Sequence, residues 1–323
     1  MMKQWMKWLA LAALAACAAG ASAQGFPSKQ VRIIVPQAPG GASDALSRII
    51  AAKLGEKWGQ QVIVENRAGA GGNIGTLEAA KAPADGHTLL LGYIGTHAIN
   101  PSLYQNLAWD PVRDFVPVAT LAAVPFVVVV NPGLAAASTQ ELIASAKAAG
   151  GKLTYSSAGN GSVNHLLGEM FDSAAGVKMT HIPYKGAGPA LADLIGAQVQ
   201  VSFTSMPSVI GHIKGGRLRA IAVTSRARSE TLPELPTLAE SGLPSFDVNP
   251  WFGLLAPAAT PAAIVGQLNR EINELLATAD LRARFAGQGA VPLATTPAEF
   301  AALLKQDIEK WAKVVKDSGA KID

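Results

Sequence analysis

Short apolar runs rich in β-branched residues recur along this chain, and amphipathic stretches separate them. VRIIV (31–35), QVIVE (61–65), TLLLG (88–92), FVVVV (126–130), KLTYSS (152–157), MTHIPY (179–184), VQVSFT (199–204) and LRAIAVT (218–224) read as strands. Runs without an apolar/polar alternation are buried on both faces, and helices between them supply the cover. That pattern predicts an α/β fold with a mostly parallel, doubly covered sheet. Helical periodicity spans 44–58, with Leu46, Ile49, Ile50, Leu54 and Trp58 on one face. A Ser138/Glu141 capping box and a Gly150-Gly151 stop bound a second helix over 138–149. Two more are expected near 163–175 and 189–196. From Thr260 come two long amphipathic helices, the first carrying Ile264, Val265, Leu268, Ile272 and Leu275 on one face. The second opens on the box TPAE (296–299) and carries Phe300, Leu303, Leu304, Ile308, Trp311 and Val315. These helices need a surface to cover, and the shorter N-terminal unit is the one available. Two lobes are therefore expected, 25–124 plus 250–323 and 125–249, joined by crossings near 122–126 and 248–255.

The first 23 residues read as a secretory leader: Lys3 and Lys7, a short Leu/Ala run, and Ala21-Ser22-Ala23 as the cleavage site. Leu14-Ala15-Ala16-Cys17 also reads as a lipoprotein box, which would anchor the protein at Cys17. Nothing later is long and apolar enough to span a bilayer. A periplasmic location follows. Cys17 is the single cysteine, so no disulfide framework is possible and apolar cores must supply the stability. The net charge is +4, and the leader lysines account for two of those charges. So slight a balance argues against nucleic-acid and membrane-surface partners.

The turn in VPQAPGGASD (35–44) joins a strand to a helix without lysine, histidine or cysteine. Paired glycines leave backbone N–H groups unobstructed at a helix N-terminus, where the helix dipole favours an anion. Ser43 can donate a further hydrogen bond, and Asp44 suits capping or bracing. An ordinary βα turn has the same grammar, so two readings stand. YSSAGNGSVNHLLGE (155–169) repeats the design: Ser156, Ser157, Gly159, Asn160 and Gly161 form a second turn, with a helix capped near Ser162. His165 and Glu169 stand four apart on that helix, but no third ligand has metal-binding spacing. Gly69, Gly71 and Gly75 miss the dinucleotide fingerprint by one residue, so a glycine loop packed on a neighbouring segment is expected. Lys185 is the one cation in its glycine-rich turn, and two readings stand for it: contact with a ligand or, the favoured one, a solvated turn residue. No nucleophile, P-loop or zinc motif occurs, and no cofactor or metal is implied.

Seven segments together resemble the tripartite tricarboxylate transporter receptors, also called Bug receptors. They are FPSKQVRIIVPQAPGGASD (26–44), VIVENRAGAGGNIG (62–75), DGHTLLLGYIGTHAINP (85–101), KLTYSSAGNGSVNHL (152–166), IPYKGAGPALADLIGAQV (182–199), RAIAVTS (219–225) and WFGLLAPAATP (251–261). The resemblance implies a type II periplasmic-binding-protein fold, two α/β lobes with a ligand cleft between them. It also implies a non-enzymatic monomer that hands a small mono- or dicarboxylate to a membrane permease. In such receptors the first turn, here Gln37, Ala38, Gly40, Gly41 and Ser43, holds a ligand carboxylate. Tyr93, Ile94 and Thr96 open into the cleft, and the opposite lobe supplies the Ser156–Gly161 turn with His165, Tyr184, Lys185 and Gly186. Many relatives read Phe-Asp-Asn-Leu-Pro where this chain has Phe203-Thr204-Ser205-Met206-Pro207, so Thr204 and Ser205 replace an acid on the pocket wall. A ligand-sensing module and, less favoured, an exported hydrolase are the competing functions.

Overall fold

β1 (Val31–Val35) seeds the first of two sheets, and its apolar residues are shielded from solvent on both faces. The computed structural model describes residues 25–322, so the predicted leader with Cys17 lies outside the described residues. α1 (Ala42–Trp58) follows and packs Leu46, Ile50 and Leu54 on the sheet. β2 (Val62–Asn66), a short 3-10 turn over Ala70–Gly72, α2 (Asn73–Ala80) and β3 (Thr88–Tyr93) complete a parallel trio. Ile33 of β1 stands opposite Val64 on one side and Leu89 on the other. A π-helical turn, Gly95–Ile99, then leads into α3 (Asn100–Leu103) and β4 (Phe115–Ala123).

The second sheet uses β5 (Phe126–Val130), β6 (Thr154–Ser157), β7 (Thr180–Pro183), β8 (Val201–Ser205) and β9 (Arg219–Val223). Its helices are α4 (Thr139–Ala149), α5 (Val163–Ala175), α6 (Ala187–Ile195) and α7 (Met206–Lys214). The chain returns through β10 (Trp251–Pro257), α8 (Ala262–Leu276), α9 (Ala279–Gly287), the short β11 (Val291–Pro292) and α10 (Pro297–Ser318). Strand order is β11-β4-β10-β3-β1-β2 in the first sheet and β7-β6-β8-β5-β9 in the second.

Neither sheet is mostly parallel. β10 is antiparallel to both of its long neighbours, β3 and β4, and β5 is antiparallel to β8 and β9. The reason lies in the crossings. β5 and β10 begin at the crossings, with Phe126 opposite Ser205 and Phe252 opposite Tyr93 at the ends of β8 and β3, so they must run the other way. The two crossings lie side by side, with the Val124 N–H donating to the Pro250 carbonyl at 2.8 Å.

One apolar core reaches from Ile34 and Leu90 to Val128, Tyr155 and Phe203, and Phe300, Leu304, Trp311 and Val315 of α10 belong to it. α10 thus lies against both lobes. Trp251 anchors it, packing edge-to-face on Phe300 at 4.9 Å and donating its indole N–H to Asp307 at 2.6 Å. Thr296 and Glu299 cap its start reciprocally, as the TPAE box predicts.

Candidate ligand-binding site

The first turn is built to leave amides free. α1 begins two residues before its predicted start because Gly41, in extended conformation, is the N-cap and brings no capping side chain. Asp44 reaches backward instead, accepting from the Gly40 N–H at 3.1 Å and pairing with Arg48 at 2.9 Å. Burial pushes the Asp44 carboxyl up, but Arg48, the Gly40 amide and Asn66 outweigh it and hold it below its ordinary value. Asn66 donates to the Gln37 carbonyl at 3.0 Å and accepts from Arg48 at 3.0 Å, fixing the other side of the turn. Asp44 is therefore a brace, and the first-turn amides of α1 are left without a capping side chain.

The glycine loop lies directly behind this turn. A Cβ at Gly75 would stand 2.6 Å from the Arg67 carbonyl oxygen and 3.1 Å from Pro36 Cα. One at Gly72 would stand 2.6 Å from the Thr96 methyl and 3.4 Å from the Gln37 amide nitrogen. Glycine here permits close packing of backbone on backbone, as expected for a buttress and not for a phosphate cradle.

Gln37, Tyr93 and Thr96 come together around that buttress. The Gln37 side-chain amide is buried beside the Tyr93 hydroxyl, and beyond that neighbour neither its oxygen nor its nitrogen has a hydrogen-bond partner within the protein. A buried polar group in that condition costs about 1–3 kcal/mol, which a ligand can recover. Tyr93 stacks on Phe252 at 5.6 Å, and burial pushes its hydroxyl up to about 12, with Gln37 beside it pulling the other way. It stays a neutral hydrogen-bond donor at any physiological pH. Thr96 is occupied internally, its hydroxyl against the Tyr93 carbonyl at 3.2 Å and His97 Nδ1 at 2.8 Å. Ser43 is buried in the first turn of α1, while Ala38 and Gly40 are exposed at the rim.

In the second lobe, Ser156 is fully buried with its hydroxyl unpartnered, whereas Ser157 is spent on its own turn, accepting from the Gly159 N–H at 3.1 Å. Ser162 caps α5 by accepting from the His165 N–H at 3.3 Å. Gly161 meets the first lobe: a Cβ there would lie 1.9 Å from Leu103 Cδ2. Gly159 borders the Tyr184 carbonyl, and Gly186 is the uncapped N-cap of α6. The Tyr184 hydroxyl donates to Asp193 at 2.7 Å, and burial and then Asp193 push it up to about 12. Asn160 and Lys185 are exposed. Thr204 and Ser205 are buried at the end of β8, with the Ser205 hydroxyl 2.8 Å from that of Ser208. Of the acids beside the two turns, Asp44 is held by Arg48 and Asp193 by Tyr184.

Two glycine-bearing turns, each ending a parallel strand, thus stand on the two sheets. The profile of the tripartite tricarboxylate transporter family receptor matches residues 46–320. The chain belongs to this family. The receptor is 42% identical over 302 residues to protein BugT of Bordetella pertussis, with 93% of each chain covered. An R. palustris protein solved with adipate superposes with a TM-score of 0.89 at 36% identity, covering 92% of this chain and 99% of the other. The periplasmic binding protein BugD gives 0.85 at 36% identity over 92% and 99%. MatC from Rhodopseudomonas palustris, with bound malate, gives 0.83 at 33% identity over 90% and 100%. The type II binding-protein architecture is that of these neighbours, which are solute-binding receptors and not enzymes.

Sequence reasoning missed Leu103, Asn66 and His181, whose roles arise from contacts between distant segments. Asn164 is another, donating to the Phe203 carbonyl at 2.7 Å and so tying α5 to the end of β8. Among the described residues no helix is long and apolar enough to cross a membrane.

Proposed function

We propose that this receptor captures a small organic mono- or dicarboxylate between its lobes. It passes the ligand, as a periplasmic monomer, to the membrane permease of a tripartite tricarboxylate transporter. The observation that carries the reading is the uncapped start of α1, flanked by the buried Gln37 amide. Backbone donors fixed by the fold can replace an arginine, because each charge-assisted hydrogen bond contributes roughly 1.5–3 kcal/mol. Adipate and malate in the neighbours support the ligand class. We take 25–124 with 250–323 as one lobe and 125–249 as the other, closing about the crossings at Val124 and Pro250.

A thermal-shift series tests this with mono-, di- and tricarboxylates, amino acids and aromatic acids. A ligand at a hundredfold excess over its Kd adds about 2.7 kcal/mol to the native state, a shift of several degrees. Plain carboxylic acids should produce it. Thr204 and Ser205 offer no charged partner to an ammonium, so succinate and glutarate should bind more tightly than aspartate and glutamate. No shift with any carboxylate would overturn the ligand class, and tighter binding of the amino acids would overturn the role given to Thr204 and Ser205.

A further inference from the structure

Behind the second turn stands a stack of three rings. The His165 and His181 imidazoles lie 3.9 Å apart with their planes 14° from parallel, and the Tyr155 ring stacks on His181 at 4.9 Å. His165 comes from the first turn of α5, and His181 from β7, where it stands opposite Tyr155 in the parallel ladder with β6. Each imidazole is tied to the turn by one nitrogen. The Gly161 N–H donates to His165 Nδ1 at 3.0 Å. His181 Nε2 lies 2.6 Å from the Ser157 hydroxyl, the same oxygen that accepts from the Gly159 N–H.

A backbone amide can only donate, so His165 Nδ1 carries a lone pair. A proton on that nitrogen sets two donors face to face and strips Gly161 of its partner. Charge on His181 is opposed too, because it falls on a ring stacked against the other imidazole. The surrounding groups are already engaged. Glu169 Oε1 is 3.8 Å from His165 Nε2, but it accepts from the Tyr155 hydroxyl at 2.7 Å, and Glu169 Oε2 pairs with Lys178 at 3.3 Å. Asp172, one turn further along α5, accepts from the Met179 N–H at 2.7 Å. Among the described residues no three histidine, cysteine or acidic side chains are placed to share a metal ion.

We propose that His165 and His181 are positioning residues: as neutral, stacked imidazoles they hold the 157–161 turn in its ligand-ready shape, and uptake of a proton by the pair releases it. The ligand half of this inference rests on the carboxylate reading above. Burial pushes both rings down, His181 to about 4 with His165 as its second cause. Glu169 pulls both rings the other way and Lys178 adds to the lowering. The pair is neutral at pH 7 and takes its first proton only as the pH falls below the ordinary imidazole value of about 6.5.

The test follows the Gly161 amide and the histidine rings by NMR in the ligand-free full-length receptor from pH 7.5 to 4, beside His165→Gln. The Gly161 resonance should move with the His165 titration. In His165→Gln the His181 titration should occur at higher pH, because no charged neighbouring ring opposes it. Adipate affinity is then measured by calorimetry at pH 7.5 and 4.5 in both proteins. The ratio should exceed tenfold in the wild type and shrink at least threefold in the variant, protonation of adipate itself being common to both. A Gly161 amide that stays still while His165 titrates overturns the proposal, as do equal affinity ratios in the two proteins. Co-titration of Gly161 and His165 with no adipate binding at any pH would uphold the pair's hold on the turn and count against the carboxylate reading alone.

Discussion

Gly41→Val is expected to weaken carboxylate capture at least tenfold, about 1.4 kcal/mol, while the ligand-free receptor melts within about 2 °C of wild type. The two halves of that expectation have separate grounds. Gly41 has φ −94° and ψ 178°, an extended conformation that valine adopts without strain. A Cβ built there meets no protein atom within 4 Å. The added side chain therefore costs the fold little, and what it obstructs is the approach to the amides of Ala42, Ser43 and Asp44. Gly40, one residue earlier, is a poor probe by contrast. Its φ of +89° would strain any replacement, so lost binding there would not distinguish a damaged turn from a blocked one. Calorimetry that finds wild-type affinity in a folded Gly41→Val receptor would remove the turn as the anchor.

Legibility in the sequence followed the range of the forces involved. FVVVV forms β5 over the predicted residues, because five apolar β-branched or aromatic side chains in a row leave no other burial solution. The helix over 163–175 likewise needed only its Ser162 cap and its own periodicity. β4 was not legible. Pro117 interrupts its pattern, and the strand accommodates it beside a register irregularity opposite Leu255, where one missing N–H costs little. The antiparallel insertions of β5 and β10 were hidden for another reason: strand direction is set by where the chain crosses between lobes, and local propensity carries no record of that.

The site divides in the same way. Gly40, Gly41 and the serine-rich turn could be read locally because helix N-termini and glycine turns have a local grammar. Asp44 was legible as a cap or brace, but only the fold directs it to Gly40. The buttress formed by Gly72 and Gly75 could be anticipated only as packing on something, since Pro36 lies more than thirty residues away. His181 is a similar case. Its ring reaches the turn because β7 pairs beside β6 in register, which no pattern around residue 181 announces.

Contact between the lobes yields the second large effect: Gly161→Ala should reduce carboxylate affinity at least tenfold and enlarge the radius of gyration of the liganded receptor. An alanine Cβ would lie 1.9 Å from Leu103 Cδ2, 2.9 Å from Cγ and 3.0 Å from Cδ1. A φ of +71° adds backbone strain on the order of 1 kcal/mol or more. Leu103 is only 6% exposed and belongs to the core shared by both lobes, so it has little room to turn aside. Overpacking of this kind costs about 1–3 kcal/mol, and where two rigid bodies meet at a hinge the cheaper relaxation is to part them. Any retreat of Leu103 also moves Tyr104, whose hydroxyl lies against Gly71 in the buttress of the first turn. Leu103→Ala supplies the control. Combined with Gly161→Ala it restores the missing room and leaves only the backbone strain, so the double variant should regain more than half of the lost binding free energy. Small-angle scattering and calorimetry on the four proteins of this cycle decide the matter. If Gly161→Ala binds and closes like wild type, the Gly161–Leu103 contact does not limit closure. If the double variant recovers nothing, the loss lies in the turn's backbone and not in the meeting of the lobes.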